Sequence, residues 1–190
     1  TIIDAGAYNG DTSIFMAKHS KNQNIYAIEP SQRNINFIKK IKEQNNLKNL
    51  HPYRYLLSNK HNIYETKNED LPNAQYKLVE NNKCNDCIKS VTLDYLVETG
   101  EIKGEIGILH FDVEGMELEV LQGSINTTKK YKPYIIVETL EKNEKKNKLV
   151  DNLLRSLNYT SETINESCNV IDIFDKDKCR NHIYVHKSNK

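Results

Sequence analysis

Thr1-Ile2-Ile3-Asp4-Ala5-Gly6-Ala7-Tyr8-Asn9-Gly10-Asp11-Thr12 decides the reading of the whole chain. It opens with β-branched residues ending in an acid, continues as a glycine turn, and predicts a helix from about Thr12. A glycine turn between a buried strand and a helix lets a ligand approach the backbone closely. The stretch lacks the G-x-G-x-x-G spacing of a dinucleotide fingerprint and the Gly-Lys-Ser/Thr of a P-loop, which counts against pyrophosphate and ATP. Thr1 already lies inside the expected strand, so an initiator and some leading residues are expected to precede it.

Reading outward, Ile25 to Ile28 is a second apolar run closed by Glu29-Pro30. Ser31 can cap a helix carrying Ile35, Ile38 and Ile41 on one side. A third strand is expected over Leu50 to Leu57. A polar excursion from Ser58 to Lys89 has weak periodicity, with Tyr76 to Val79 as its one strand candidate. Beyond it, Val91 to Val97 reads as a brief helix, Ile106 to Asp112 as a strand, and Leu118, Leu121 and Ile125 as one helix by their spacing. Lys132-Pro133 precedes a strand over Tyr134 to Val137, and Leu149, Val150, Leu153, Leu154 and Leu157 stripe a further helix. Val170 to Phe174 and Ile183 to His186 are late strand candidates with no long helix between them. This alternation predicts one α/β domain over residues 1–190, with a polar insert at about 58–89. Its sheet is expected to be mainly parallel with helices on both faces and an antiparallel C-terminal edge.

The composition sets limits on partners. The 190 residues are 37% hydrophobic and 28% charged, as in a protein that buries a core. Twenty-seven basic residues nearly balance twenty-six acidic ones, and the net charge of +1 gives no reason to expect nucleic acid. No apolar run approaches the roughly 18 residues of a membrane span, and no signal-peptide pattern opens the chain, so a cytoplasmic location is expected. The Asn-x-Ser/Thr matches at Asn126, Asn158 and Asn165 are then chance. Cys84 and Cys87 have a metal-like spacing, but with Cys168 and Cys179 they do not make a paired knuckle, and free thiols are expected. The lysines at 129–132 and 142–148 read as solvated faces. The oligomeric state is not legible.

In an open parallel sheet, ligands bind beyond the carboxyl ends of the strands, near the point where strand order reverses. Asp4, Glu29, Asp112 and Glu138 each fall at or just after such an end, which predicts that they line one site. Glu29 also follows the glycine loop by about 20 residues, where a ribose hydroxyl is usually held. An acid in the first turn of a helix complements the dipole, the reading preferred for Glu117 and Glu119 and open for Glu114. His110 shares a face with Asp112 by strand alternation and reads as a structural histidine.

Five motifs occur in order: residues 4–12 of the glycine loop, Ile28-Glu29-Pro30, Val91-Thr92-Leu93-Asp94, Phe111-Asp112-Val113-Glu114-Gly115-Met116-Glu117, and Lys132 to Glu138. Together, over about residues 2–140, they resemble the FkbM family of methyltransferases. The acid-rich fourth motif, followed by Leu121-Gln122-Gly123, is the most specific part. The resemblance implies a Rossmann-like class I fold and S-adenosylmethionine as cofactor. It places Gly6, Ala7 and Gly10 around the methionine part, Glu29 on the ribose hydroxyls, and Asp4 and Pro30 in the same lining. The family usually has Asn where Tyr8 stands, so Tyr8 is expected to offer a backbone contact, with its side chain free to cover the cofactor or shape the substrate mouth. The acceptor is expected to be a hydroxyl of a sugar, glycan or small metabolite, with N-methylation or a non-catalytic binding domain as alternatives. Asp112, Glu114 and Glu138 are the catalytic candidates. Asp112 and Glu138 could serve as a base or hold magnesium or manganese through oxygen ligands. Asp94 belongs to a motif, but a helix-cap role is at least as natural.

Overall fold

The glycine turn joins β1 (Ile2–Ala5) to α1 (Asp11–His19), and β2 (Ile25–Ile28), α2 (Gln32–Gln44) and β3 (Leu50–Tyr53) follow. The computed structural model describes residues 1–67, 77–80, 87–138, 144–164, 170–171 and 181–189. Ser31 caps α2 as its position predicts, its hydroxyl accepting from the Asn34 amide at 3.3 Å. Along β1, Ile3 and Ala5 pack into one apolar cluster while Ile2 packs into a second, the alternation that a strand buried on both faces imposes. Asp4 therefore points to the face of Ile2.

After β4 (Leu56–Leu57), β5 (Asn62–Lys67), β6 (Lys77–Glu80) and β7 (Cys87–Val91) come α3 (Leu93–Glu98), β8 (Ile108–Phe111), α4 (Glu117–Gln122), α5 (Ile125–Tyr131) and β9 (Tyr134–Glu138). The chain continues as α6 (Glu144–Ser156), β10 (Tyr159–Ile164), β11 (Val170–Ile171) and β12 (Asn181–His186). The main sheet has eight strands in the order β11-β10-β12-β9-β8-β1-β2-β3. β3, β2, β1, β8 and β9 run parallel, and β12, β10 and β11 add antiparallel pairs, so the expected mixed sheet is present. From β1 the chain winds outward to β3 and then returns through β8 to β9 on the other side. Strand order therefore reverses between β1 and β8.

The boundaries differ from expectation where distant contacts decide them. Leu50 to Leu57 is not one strand: β3 belongs to the main sheet, while β4 joins a second sheet of order β4-β7-β5-β6. The polar insert supplies β5, β6 and most of β7, and Val91 ends β7 instead of opening a helix. Thr92 then caps α3, its hydroxyl accepting from the Tyr95 amide at 3.1 Å. The Leu118 to Ile125 stripe is broken at Gly123, where an added Cβ would lie 2.1 Å from the Ser58 carbonyl oxygen. A new helix starts beyond it because Asp94 accepts from the amides of Asn126 (2.9 Å) and Thr127 (2.7 Å). On α6, Val150 and Leu154 are buried while Leu149 is exposed. The strand β10 was not foreseen, and residues 172–174 and Tyr76 lie outside the described residues.

Cys87 is disulfide-bonded, which corrects the expectation of free thiols. Spacing along the chain carries no information on whether two Cα atoms approach closely enough to bridge. Cys84, Cys168 and Cys179 lie outside the described residues. Among the described residues, no helix is long and apolar enough to cross a membrane.

Asp94 supplies the cap that α5 lacks from its own first residues. Asp94→Ala should therefore lower stability by about 1 kcal/mol, the usual worth of such a cap. Urea denaturation measures this, and an unchanged midpoint with an unchanged slope would show that α5 does not depend on Asp94.

Candidate active site

Ligands in such sheets usually bind beyond the carboxyl ends of the strands at a reversal like that between β1 and β8. This end of the sheet is closely packed. The Asp112 amide donates to the Ala5 carbonyl at 3.0 Å, and a Cβ on Gly6 would sit 1.7 Å from the Asp112 carbonyl oxygen. Gly6 also has φ +80°, so this position excludes a side chain on two counts. Gly10 has the same φ, and its Cβ would meet Ile38 of α2 at 2.6 Å. Gly10 thus lets α1 and α2 approach, while the Ala7 side chain is buried in the cluster beneath the loop.

Asp4 lies within β1 and is 1% exposed. One of its oxygens accepts from the Ser13 hydroxyl on α1, and the other lies 2.7 Å from His110 Nδ1 on β8. A carboxylate that only accepts assigns the Nδ1 proton to the histidine. Asp4 thus faces inward and holds β1, α1 and β8 together. Its place in the site is behind the loop, and direct contact with a ligand would need both bonds to rearrange.

Glu29, 4% exposed and directly after β2, is held by donors from three residues. The amides of Tyr8 and Ser31 donate to it at 3.0 Å each, and Asn34 Nδ2 at 3.2 Å. Glu29 therefore orients the glycine loop and the start of α2 together. Pro30 is buried beside it, and its carbonyl accepts from Arg54 Nε at 3.2 Å. Tyr8 has φ +47°, a left-handed conformation that is costly for a bulky residue, and it is 43% exposed. Glu114, exposed on the loop after β8, has φ +50°. Two strained residues thus stand on the two loops that flank the strand reversal.

Asp112 and Glu138 follow β8 and end β9, neighbouring parallel strands, which places the two acids next to each other at one end of the sheet. Burial, then the Glu138 hydrogen bond and charge, and then Glu114 push the Asp112 carboxyl up to about 8, with His110 acting against them. His110 itself is pulled down by burial, but its bond to Asp4 and the charges of Asp4, Asp112 and Glu138 outweigh this and raise it. The structure thus brings Asp112, Glu114 and Glu138 together and adds His110, which strand alternation had put on the right face.

Two further residues brace this end of the sheet. Glu117, buried at the start of α4, accepts from the Gly115 amide at 2.8 Å; burial raises its carboxyl against the pull of backbone amides. Lys146, in the first turn of α6, bonds the Gly115 carbonyl and lies 2.7 Å from Glu119. This corrects the reading as a solvated face at Lys146 alone, which is only 23% exposed, whereas Lys145 and Lys148 are exposed as expected. A basic residue in a helix's first turn opposes the dipole, and that was a readable signal. Among the described residues, no group of three or more His, Cys, Asp or Glu side chains could hold a metal ion.

A sheet of this topology, with its glycine loop and acids at the reversal, defines a Rossmann-like class I methyltransferase fold. The Methyltransferase FkbM domain matches residues 4–162, and the chain belongs to that family. Solved structures agree on the fold. The methyltransferase FkbM from Methylobacillus flagellatus KT superposes with a TM-score of 0.62 at 15% identity, over 98% of this chain and 43% of that one. The present chain therefore spans less than half of that protein. SMU.1697c from Streptococcus mutans, solved in complex with SAH, gives 0.55 at 12% identity, over 97% and 87% of the two chains. Fibrillarin from Aeropyrum pernix, with natively bound S-adenosyl-L-methionine, gives 0.54 at 11% identity, over 97% and 65%. No curated protein sequence matches the chain.

The acid pair has a consequence for stability. A carboxyl whose folded pKa exceeds its unfolded value near 4 contributes fully below that value and loses its contribution as pH rises through the folded value. Asp112→Asn keeps a donor toward Glu138 and does not titrate. It should therefore raise the melting temperature, and by more at pH 8 than at pH 5. The expected gain at pH 8 is about 1–3 kcal/mol, a fraction of the full linkage because solvent reaches the pair. Equal melting shifts at both pH values would show that Asp112 holds no extra proton.

Proposed function

We propose that this domain binds S-adenosylmethionine over the β1–β8 reversal and methylates a hydroxyl of a sugar, glycan or small metabolite. The observation that carries the reading is the placement of Asp112 and Glu138 at neighbouring strand ends, beside a glycine loop packed against the Asp112 carbonyl. The cradle fits the cofactor because Gly6 leaves no side chain between the loop and β8, and because Glu29 is already oriented. When bound, the cofactor supplies an electrophilic methyl group on a sulfonium.

In this reading, Gly6, Ala7, Tyr8 and Gly10 form the wall beside the methionine part. Glu29, supported by Pro30, accepts from the ribose hydroxyls, since a carboxylate offers about four acceptor positions. Asp4 acts from behind by fixing the loop to His110. On the acceptor side, Asp112 receives the proton of the attacking hydroxyl. A base whose pKa lies near the working pH is well matched to that transfer. Glu138 and Glu114 hold the group's affinity for a proton high by their charge. The pair is read as a base, with Asp112 acting in its deprotonated form, and not as a cation site, so chelators should leave turnover unchanged.

Calorimetry with S-adenosylhomocysteine tests the cofactor site. Glu29→Gln keeps an acceptor for the Tyr8 amide and should weaken binding by about 1–3 kcal/mol through poorly paired hydroxyls. Unchanged affinity in a folded variant removes Glu29 from the site. A mass screen of glycans and hydroxylated metabolites, looking for the gain of one CH2, then tests the acceptor. With the acceptor found there, Asp112→Asn should cut turnover by about 10²–10⁴-fold, the usual worth of a general base. Methylation of amines alone overturns the hydroxyl assignment, and near-normal turnover by Asp112→Asn overturns its role as base. Loss of activity on chelation, restored by magnesium or manganese, would instead make the pair a cation site.

A further inference from the structure

We propose that Lys146 is a positioning residue that clamps the loop after β8 to α6 and thereby holds Asp112 against Glu138. The proposal rests on the reading of Asp112 and Glu138 as the acceptor-side pair. Each arm of the clamp follows one of the two acids. Asp112 leads into the turn at Glu114 and Gly115, and Glu138 ends β9, the strand preceding α6.

Lys146 spends its donors on these neighbours. Its Nζ donates to the Gly115 carbonyl and lies 2.9 and 2.7 Å from the two Glu119 carboxylate oxygens. Two of its N–H groups meet the Gly115 carbonyl and Glu119 Oε1, and Glu119 Oε2 adds the charge contact. Glu119 sits in the first turn of α4, so one side chain ties the Gly115 turn and the start of α4 to the start of α6.

The turn it holds is strained. Glu114 and Gly115 are successive left-handed residues, at φ +50° and +96°. Such a conformation persists only where its surroundings over-determine it. The Gly115 amide is fixed by Glu117 and its carbonyl by Lys146, so the peptide units on either side of Gly115 are restrained from different helices. A lysine in the first turn of a helix works against the dipole, so solvation alone is a poor account of its position. A surface ion pair would be worth little, but this one includes a backbone carbonyl and is largely covered.

The groups facing Asp112 are Glu138 from β9, Glu114 on its own loop, and His110 on β8, the last paired with Asp4 of β1. If the clamp sets the distance between Asp112 and Glu138, loosening it must weaken the coupling between them. A double-mutant cycle reads this without any acceptor. The melting gain from Asp112→Asn at pH 8 is measured in the parent, Lys146→Met and Lys146→Arg backgrounds. The gain should fall to less than half in the Lys146→Met background and be largely retained with Lys146→Arg. Where Lys146→Met does not fold, Glu119→Gln removes the clamp's charge partner and takes its place. An equal gain in every background overturns the clamp and leaves Lys146 as scaffolding. A gain missing even from the parent overturns the acid-pair reading, and the clamp with it.

Discussion

The buried Asp4 carboxylate is the constraint on which the rest of this end of the molecule depends. It sits in the middle one of the five parallel strands, where a lone charge would be costly, and it is tolerated because Ser13 and His110 meet it from two other elements. A paired buried charge is weak evidence for stability but strongly penalises separation of its partners. The pairing therefore fixes the approach of α1 and β8 to β1. That approach brings Gly6 against the Asp112 carbonyl and sets where the glycine loop can run.

From this anchor, the cost of the site can be followed outward. Tyr8 and Glu114 hold left-handed conformations on the two flanking loops, and burial with the neighbouring Glu138 and Glu114 pushes the Asp112 carboxyl up to about 8. None of these arrangements favours folding. The energy that tolerates them comes from the apolar strands below, where Ile3, Leu109, Phe111, Ile135 and Val137 are fully or nearly fully buried. Braces such as Glu117 and Lys146 then keep the strain localised to the turn after β8. The division is a familiar physical one: a rigid core over-determines a few residues that would relax if left alone.

The same division explains what could be read in advance. Strands such as Ile25 to Ile28 are buried on both faces and announce themselves as apolar runs, and Ser31 marks the start of α2 by local chemistry alone. The placement of Glu29, Asp112 and Glu138 at one end of the sheet followed from strand order. What stayed hidden was decided by partners far along the chain. The strand β10 carries Thr160, Ser161 and Glu162 and becomes a strand by pairing with β12. The break between α4 and α5 depends on Ser58 and Asp94, both distant in sequence. Asp4 was placed at a strand end facing the site, whereas its side chain turns inward because Ser13 and His110 are there to receive it. Lys146 differs, since its conflict with the dipole was visible in the sequence and only its partners were not.

The disposition of the loop amides carries the argument to ligand class. A phosphate-binding turn aims several free N–H groups at its anion. Here the Gly6 and Ala7 amides both donate to the Ile28 carbonyl, Tyr8 donates to Glu29, and Gly10 donates to the Ala7 carbonyl. The loop has spent these donors on its own scaffold, so the missing P-loop and dinucleotide spacings have a structural counterpart. Around it stand Glu29, Glu114 and the neighbouring acids Asp112 and Glu138. Nearby carboxylates, with these loop amides turned to the scaffold, disfavour a polyphosphate and suit a ligand that brings positive charge and hydroxyl donors.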